Sequence, residues 1–168
     1  GPLTWTLAAG TEVVNDGTID LGSEATLEEP LDGPITGNGT ELAMTMAPGP
    51  FSAIEPGGLG LVISNTETLG PLTVTRGHIP FTLPEGDLSI SRWFGIESAP
   101  ADGSSLLLTL RYDQSELNGL DAASLALFEA SSEVGPWSAL ASTAAPVLRT
   151  VTASDQYPWD LVTAFDEN

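Results

Sequence analysis

The sequence predicts an all-β fold: the end of a right-handed parallel β-helix or other repetitive stalk, followed by an antiparallel β-sandwich. Three observations predict it. Apolar residues recur at every second position in short runs, the pattern of strands with one buried face. Eighteen glycines and 13 prolines are scattered through 168 residues and mark frequent tight turns. Finally, Asp16-Gly17-Thr18 recurs as Asn38-Gly39-Thr40 at an offset of 22, as successive coils of a solenoid would.

In chain order, residues 1–47 form the first unit. Each Gly-Thr turn precedes alternating apolar positions, Ile19 and Leu21 in one case and Leu42, Met44 and Met46 in the other. Leu27 and Ile35 stand isolated between turn formers. Ordinary antiparallel hairpins with coincident turns fit this periodicity equally well. If the segment is coiled, its first coil, residues 3–21, is cut open. It then presents unpaired backbone and an apolar face of Trp5, Leu7, Val13 or Val14, and Ile19. Those residues are the candidate assembly site, for a second copy or for neighbouring domains of a parent chain. The sequence opens in mid-pattern, as a fragment or processed form does.

Residues 48–57 read as a linker, from Pro48-Gly49-Pro50 and Glu55-Pro56-Gly57. Residues 58–168 carry the sandwich. Leu59, Leu61 and Ile63 alternate, then Leu72 and Val74, then Leu106, Leu108, Leu110 and Tyr112. A short helical turn is expected at residues 115–117 or 122–124, the latter capped by Asp121.

Charge bounds the partners. Asp and Glu number 23 against four arginines and no lysine, a net charge of −19. Phosphate binding needs a basic footprint, so nucleic acid is excluded as a partner. The excess also reads as halophilic, since salt screens self-repulsion over roughly 3 Å at 1 M. Without cysteine there are no disulfides, zinc-thiolate sites or cysteine nucleophiles. Without lysine there is no Schiff-base or isopeptide chemistry. No run of about eighteen apolar residues exists to form a membrane-spanning helix.

The run from Gly58-Leu59-Gly60-Leu61-Val62-Ile63-Ser64 through Thr73-Val74-Thr75-Arg76-Gly77-His78 has a counterpart elsewhere. So do Ile90-Ser91-Arg92-Trp93-Phe94-Gly95-Ile96, Leu108-Thr109-Leu110-Arg111-Tyr112-Asp113 and the aromatic strand Tyr157-Pro158-Trp159. In this order, over residues 57–163, they resemble an accessory module of large secreted bacterial surface proteins. There the module follows β-helical repeats and precedes a C-terminal sorting domain of the type IX secretion kind. The resemblance implies an extracellular or cell-surface β-sandwich that spaces, anchors or assembles a surface fibre or adhesin, and it implies no particular activity.

Candidate chemistry is sparse. His78 is the single histidine, and no Gly-x-Ser-x-Gly elbow accompanies it. Asp155-Gln156-Tyr157 stands where self-cleaving sandwiches carry a His-x-Ser or His-x-Thr tripeptide. Carboxylate pairs for glycoside hydrolysis are uninformative among 23 acids, so a hydrolase or lyase fragment is the weakest reading. Asp113, Glu116, Asn118 and Asp121 cluster oxygen ligands on a glycine-containing loop, the chemistry calcium takes, without EF-hand spacing. The same side chains could instead cap their own backbone. Trp93, Trp137, Tyr157 and Trp159 are candidate stacking rings for a polysaccharide, with Trp137 the ring expected to be most exposed. A carbohydrate-binding module of a secreted enzyme is accordingly the alternative to a structural module. Asn38-Gly39-Thr40 is also a formal glycosylation sequon.

The charge reading has a direct test. Melting temperature at neutral pH should rise between millimolar and molar sodium chloride, by more than in a charge-balanced control protein. A flat or falling dependence removes the halophile argument.

Overall fold

The computed structural model describes residues 1–30, 34–45, 51–65, 70–83, 86–98, 105–156 and 161–166. Its first strands come in two matched sets. The first set is β1 (Leu3–Thr6), β2 (Val13–Val14) and β3 (Thr18–Gly22). The second is β4 (Ala25–Glu28), β5 (Ile35–Thr36) and β6 (Thr40–Thr45). Each strand of the first set pairs in parallel with its counterpart, Leu3 with Ala25, Val13 with Ile35 and Thr18 with Thr40. All three pairings start at the offset of 22 seen in the sequence, and β3–β6 shifts by one residue between Asp20 and Gly22. The turns stack backbone on backbone: Gly39 donates its N–H to the Asn15 carbonyl at 2.7 Å, and Asn38 to Asp16 Oδ1 at 3.1 Å. A Cβ on Gly39 would collide with the Gly17 carbonyl, which is why the second turn is tolerant only of glycine there.

The remaining strands are β7 (Phe51–Ile54), β8 (Leu61–Asn65), β9 (Leu72–Gly77), β10 (Trp93–Ser98) and β11 (Ser105–Arg111). They continue with β12 (Leu125–Ala130), β13 (Ser138–Ala139), β14 (Ser142–Ala145), β15 (Thr150–Gln156) and β16 (Leu161–Asp166). One sheet has the order β13-β12-β16-β10-β9-β6-β3, the other β14-β15-β11-β8-β7. Their inner faces share one buried cluster, with Val74, Phe94, Ile96 and Val162 from the first sheet and Ile63, Leu108, Leu110 and Val151 from the second. The fold is all-β and sandwich-like.

The seam expected at residues 48–57 does not separate two sheets. Residues 51–54 form β7, and Pro56–Gly58 form a 3-10 turn. The larger sheet runs across the seam because β6 pairs antiparallel with β9, from Thr40–Gly77 to Thr45–Leu72. Leu7, Leu21, Leu27 and Ile35 join the same core as the sandwich.

The alternation in β6 faces the other way from a simple apolar count. Leu42 is half-buried and Met44 exposed, while Glu41 and Ala43 are fully buried. The reason lies at the end of β9, where Arg76 and the following His78 face inward and need an acceptor. Glu41 accepts from Arg76 Nε at 2.8 Å, from His78 Nε2 at 2.8 Å and from Asn15 Nδ2 at 2.8 Å. Arg76 also binds Glu29 at 2.5 Å and donates to the Leu59 carbonyl at 3.2 Å. Arg76 and Glu41 are completely inaccessible. Burial alone would push the Glu41 carboxyl up, but the hydrogen bond from His78 and the charge of Arg76 hold it down at about 2. Glu29 is held below its usual range by Arg76 and Arg92, again against burial. For Arg76, burial disfavours the cation, yet Glu29 and Glu41 raise its affinity for the proton.

The sign of the pH effect follows. Since the folded value for Glu41, about 2, lies below the unfolded value, its contribution is complete above about pH 4.5 and is lost as pH falls towards 2. The difference corresponds to something on the order of 3 kcal/mol. Urea unfolding of the wild type should therefore lose stability between pH 4.5 and 2.5 more steeply than Glu41→Gln, which should be destabilised at pH 7 and keep across that window only the shallower loss owed to Glu29. Parallel losses in both proteins would assign the acid sensitivity to other carboxylates.

Candidate functional site

Four places bring polar or aromatic chemistry together. The first surrounds His78. Its Nε2–H is held by the Glu41 carboxylate, while Nδ1 is buried without a partner. The ring lines a cleft of about 230 Å³ with Ile35, Thr36, Ser91, Ser115 and Glu116. A carboxylate–histidine pair beside two serines resembles the components of a nucleophilic site. The hydroxyls, however, are committed elsewhere: Ser91 Oγ donates to Asn118 Oδ1 at 3.2 Å, and Ser115 Oγ to Asp113 Oδ1 at 2.7 Å. Neither serine is hydrogen-bonded to His78, so no nucleophile–base pair is formed among the described residues. His78 acts as a strut between β9 and β6.

The second place is the loop after β11. Asp113 and Glu116 form a reciprocal capping box around the 3-10 turn at Gln114–Glu116. Asp113 accepts from Ser115 N–H at 2.9 Å and from Arg149 Nη1 at 3.3 Å. Glu116 accepts from the Asp113 N–H at 2.6 Å and from Arg92 Nε at 3.0 Å. Asn118 bridges the Ser89 carbonyl and Ser91 Oγ, and Asp121 caps the Ala123 N–H. Asp113, Glu116 and Asp121 thus serve the loop's own backbone, Asp113 and Glu116 also bind arginines, and Asn118 ties the loop to Ser89 and Ser91. Among the described residues no three His, Cys, Asp or Glu side chains are grouped to hold a metal ion. The oxygens expected as a calcium site hold the turn, with buried Arg92 and half-buried Arg149 supplying positive charge beside them.

The third place is the outer face of the seven-stranded sheet. Phe94 enters the inner core, so its neighbour Trp93 lies outside, paired with Gly77 across the strands. The indole covers Gly77 so closely that any Cβ there would strike the ring. A second apolar cluster forms above this face from Phe81, Leu83 and Phe165, joined by Trp93, Phe128, Trp137 and Leu161. Trp137 packs at 4.9 Å from Phe81 and 5.6 Å from Phe165, ring centroid to ring centroid. Contrary to the exposure expected of it, Trp137 is half-buried and its Nε1 is sealed from solvent. The chain after Pro136 folds back onto the sheet and fills the space beside Phe81. Trp93 alone of the two borders an open groove of about 470 Å³, with Ile79, Phe81, Glu133 and Val134. Tyr157 and Trp159 lie outside the described residues.

The fourth place is the outer edge of the first strand set. Among the described residues neither β1 nor β2 has a second neighbour, and β3 ends the larger sheet. Trp5 and Val14 are exposed there, at 39% and 59%. Leu7 is buried, and Val13 and Ile19 are half-buried against the core. The expected bare apolar face is therefore filled, because Leu7, Leu21, Leu27 and Ile35 close on one another inside the two strand sets. What stays open is backbone, together with Leu3, Trp5 and Val14.

The strut role of His78 and the sealed groove side of Trp137 left no local sign in the sequence, since both depend on distant partners. The Ile79–Val134 groove was missed for the same reason, although the Gly77–Trp93 strand pairing that underlies it could be sought as a glycine opposite an aromatic. No protein-family model, curated protein or solved structure matches the chain.

The loop carries its own prediction. Glu116→Gln should lower the melting temperature by several degrees, because it leaves Arg92 buried with one charged partner fewer. Melting curves in calcium and in chelator should superimpose. A rise in calcium that is abolished by Asp113→Ala with Asp121→Ala would instead establish the loop as a cation site.

Proposed function

We propose that this chain is a non-catalytic structural module of an extracellular or cell-surface protein, built to continue and anchor a β-coiled stalk. In this reading the two strand sets are two stacked coils of a right-handed parallel β-helix, and the sandwich is the base on which they rest. One observation carries it: β1–β4, β2–β5 and β3–β6 all start in parallel at one offset of 22, and among the described residues all three strands of the first set keep a free edge. A free edge on every strand of a coil is a template for another coil. Glu29 supports the same reading at the other end, where its carboxylate accepts from the Ile35 N–H at 2.8 Å and closes backbone that has no further strand. The surface location rests on the likeness to modules of secreted surface proteins and on the acidic surface. Exposed Glu12, Asp16 and Asp20 near the free edge disfavour stacking of two identical ends at low salt.

Adding a coil tests this. A chain carrying a second copy of residues 3–24 ahead of Leu3 should, at molar salt, melt several degrees higher. Amide exchange at β1 should slow to the rate of β4. If the added residues exchange as unfolded chain and melting is unmoved, the first coil is a finished end and the stalk reading falls.

A further inference from the structure

We propose that the groove beside Trp93 is a docking site for an arginine-bearing segment of a partner protein. The groove lies on the outer face of the larger sheet, well apart in the fold from the open coil edge, and holds about 470 Å³. Its floor is aromatic and aliphatic, with Trp93 half-buried and Phe81 nearly covered, their centroids 5.5 Å apart. Its rim carries Ile79, 49% exposed, and Val134, 92% exposed. Glu133 is the one ionised group lining it, is exposed, and makes no hydrogen bond or ion pair among the described residues.

Charge complementarity selects the occupant. The chain has four arginines and no lysine. Every arginine is bound to a carboxylate of its own chain: Arg76 to Glu29 and Glu41, Arg92 to Glu116, Arg111 to Glu55 at 2.6 Å, and Arg149 to Asp113. None lines the groove, so Glu133 sits uncompensated in the field of a chain of net charge −19. An anionic partner is repelled. A second copy is equally unsuited, since its own arginines are already engaged. A guanidinium from another protein meets all the features present: it stacks on an indole, is weakly hydrated, and pairs with a carboxylate. Its methylene stem would cover Ile79 and Val134. A neutral sugar would find less, because the two rings here, Phe81 and Trp93, are tilted against one another by 42° rather than forming a flat platform.

The test uses the full chain, isotope-labelled, in 0.15 M salt. A capped, uncharged-backbone peptide bearing two arginines is titrated while amide and indole N–H signals are followed. The indole of Trp93 and the amides of Ile79, Thr82 and Glu133 should shift together, and the indole of Trp5 should not. Glu133→Gln should weaken binding about threefold or more, and the charge-matched control Asp16→Asn should leave it unchanged. Because Trp93→Ala endangers the packing on Gly77, Trp93→Phe is the second variant, and it should also weaken binding. The proposal is overturned if shifts spread over the acidic surface and both neutralised variants weaken binding alike. It is equally overturned if maltotriose moves the Trp93 signals and the arginine peptide does not.

Discussion

A single buried carboxylate, Glu41, receives hydrogen bonds from Arg76, His78 and Asn15, and the join between the strand sets and the sandwich depends on it. Removing four polar groups from water costs free energy that only mutual pairing offsets. The pairing here is nearly complete: Arg76 has Glu29, Glu41 and the Leu59 carbonyl, and Asn15 donates also to the Thr40 carbonyl. Such a cluster adds little net stability over apolar packing, but it is intolerant of misregister. Slipping β6 by one residue against β9 would place Leu42 opposite Arg76 and His78 and send Glu41 to solvent. The network therefore selects one register for the strand that links the paired strand sets to the sandwich.

The same economy explains the surface. Four cations against 23 anions could have been spread outside, where each would have relieved repulsion. Instead the structure places Arg76 and Arg92 in the interior and leaves Arg111 and Arg149 half-buried. Two of them reach the first 30 residues through Glu29, which binds Arg76 closely and Arg92 at 3.7 Å. The cations act as internal struts, and the exterior is left almost wholly anionic. An exterior of that kind discourages association of like chains and makes the few unpaired apolar or backbone features, the edge of the first strand set and the Trp93 groove, stand out as contact points.

A third layer on one sheet separates these two features. Phe81, Trp137 and Phe165 seal most of the outer face of the larger sheet, so that sheet is covered on both sides near β10 and β16 and on one side near β3 and β6. Thr18, Asp20 and Met44 on the uncovered part are exposed. Gly77 marks the border, where the indole of Trp93 takes the place a side chain would occupy.

Strand positions were largely legible from alternation and turn chemistry: the runs at Leu59–Leu61–Ile63 and Leu106–Leu110 lie on β8 and β11 or immediately beside them, with their even-spaced residues buried. The repeat of 22 gave the partners of β1, β2 and β3, because stacked turns demand the same small residues at each recurrence. The acidic exterior followed from composition. These are local properties of the chain, and a sequence states them directly. Which face of β6 turns inward was settled only by Arg76, which lies 35 residues away and can reach Glu41 once β6 and β9 pair. Likewise Asp113 and Glu116 read as metal ligands until Arg92 and Arg149 arrive from other strands, and Trp137 reads as exposed until Phe81 and Phe165 close over it. Periodicity fixes where side chains alternate, but the charge or ring they meet is set by pairing across long stretches of chain, and that is a property of the tertiary structure alone.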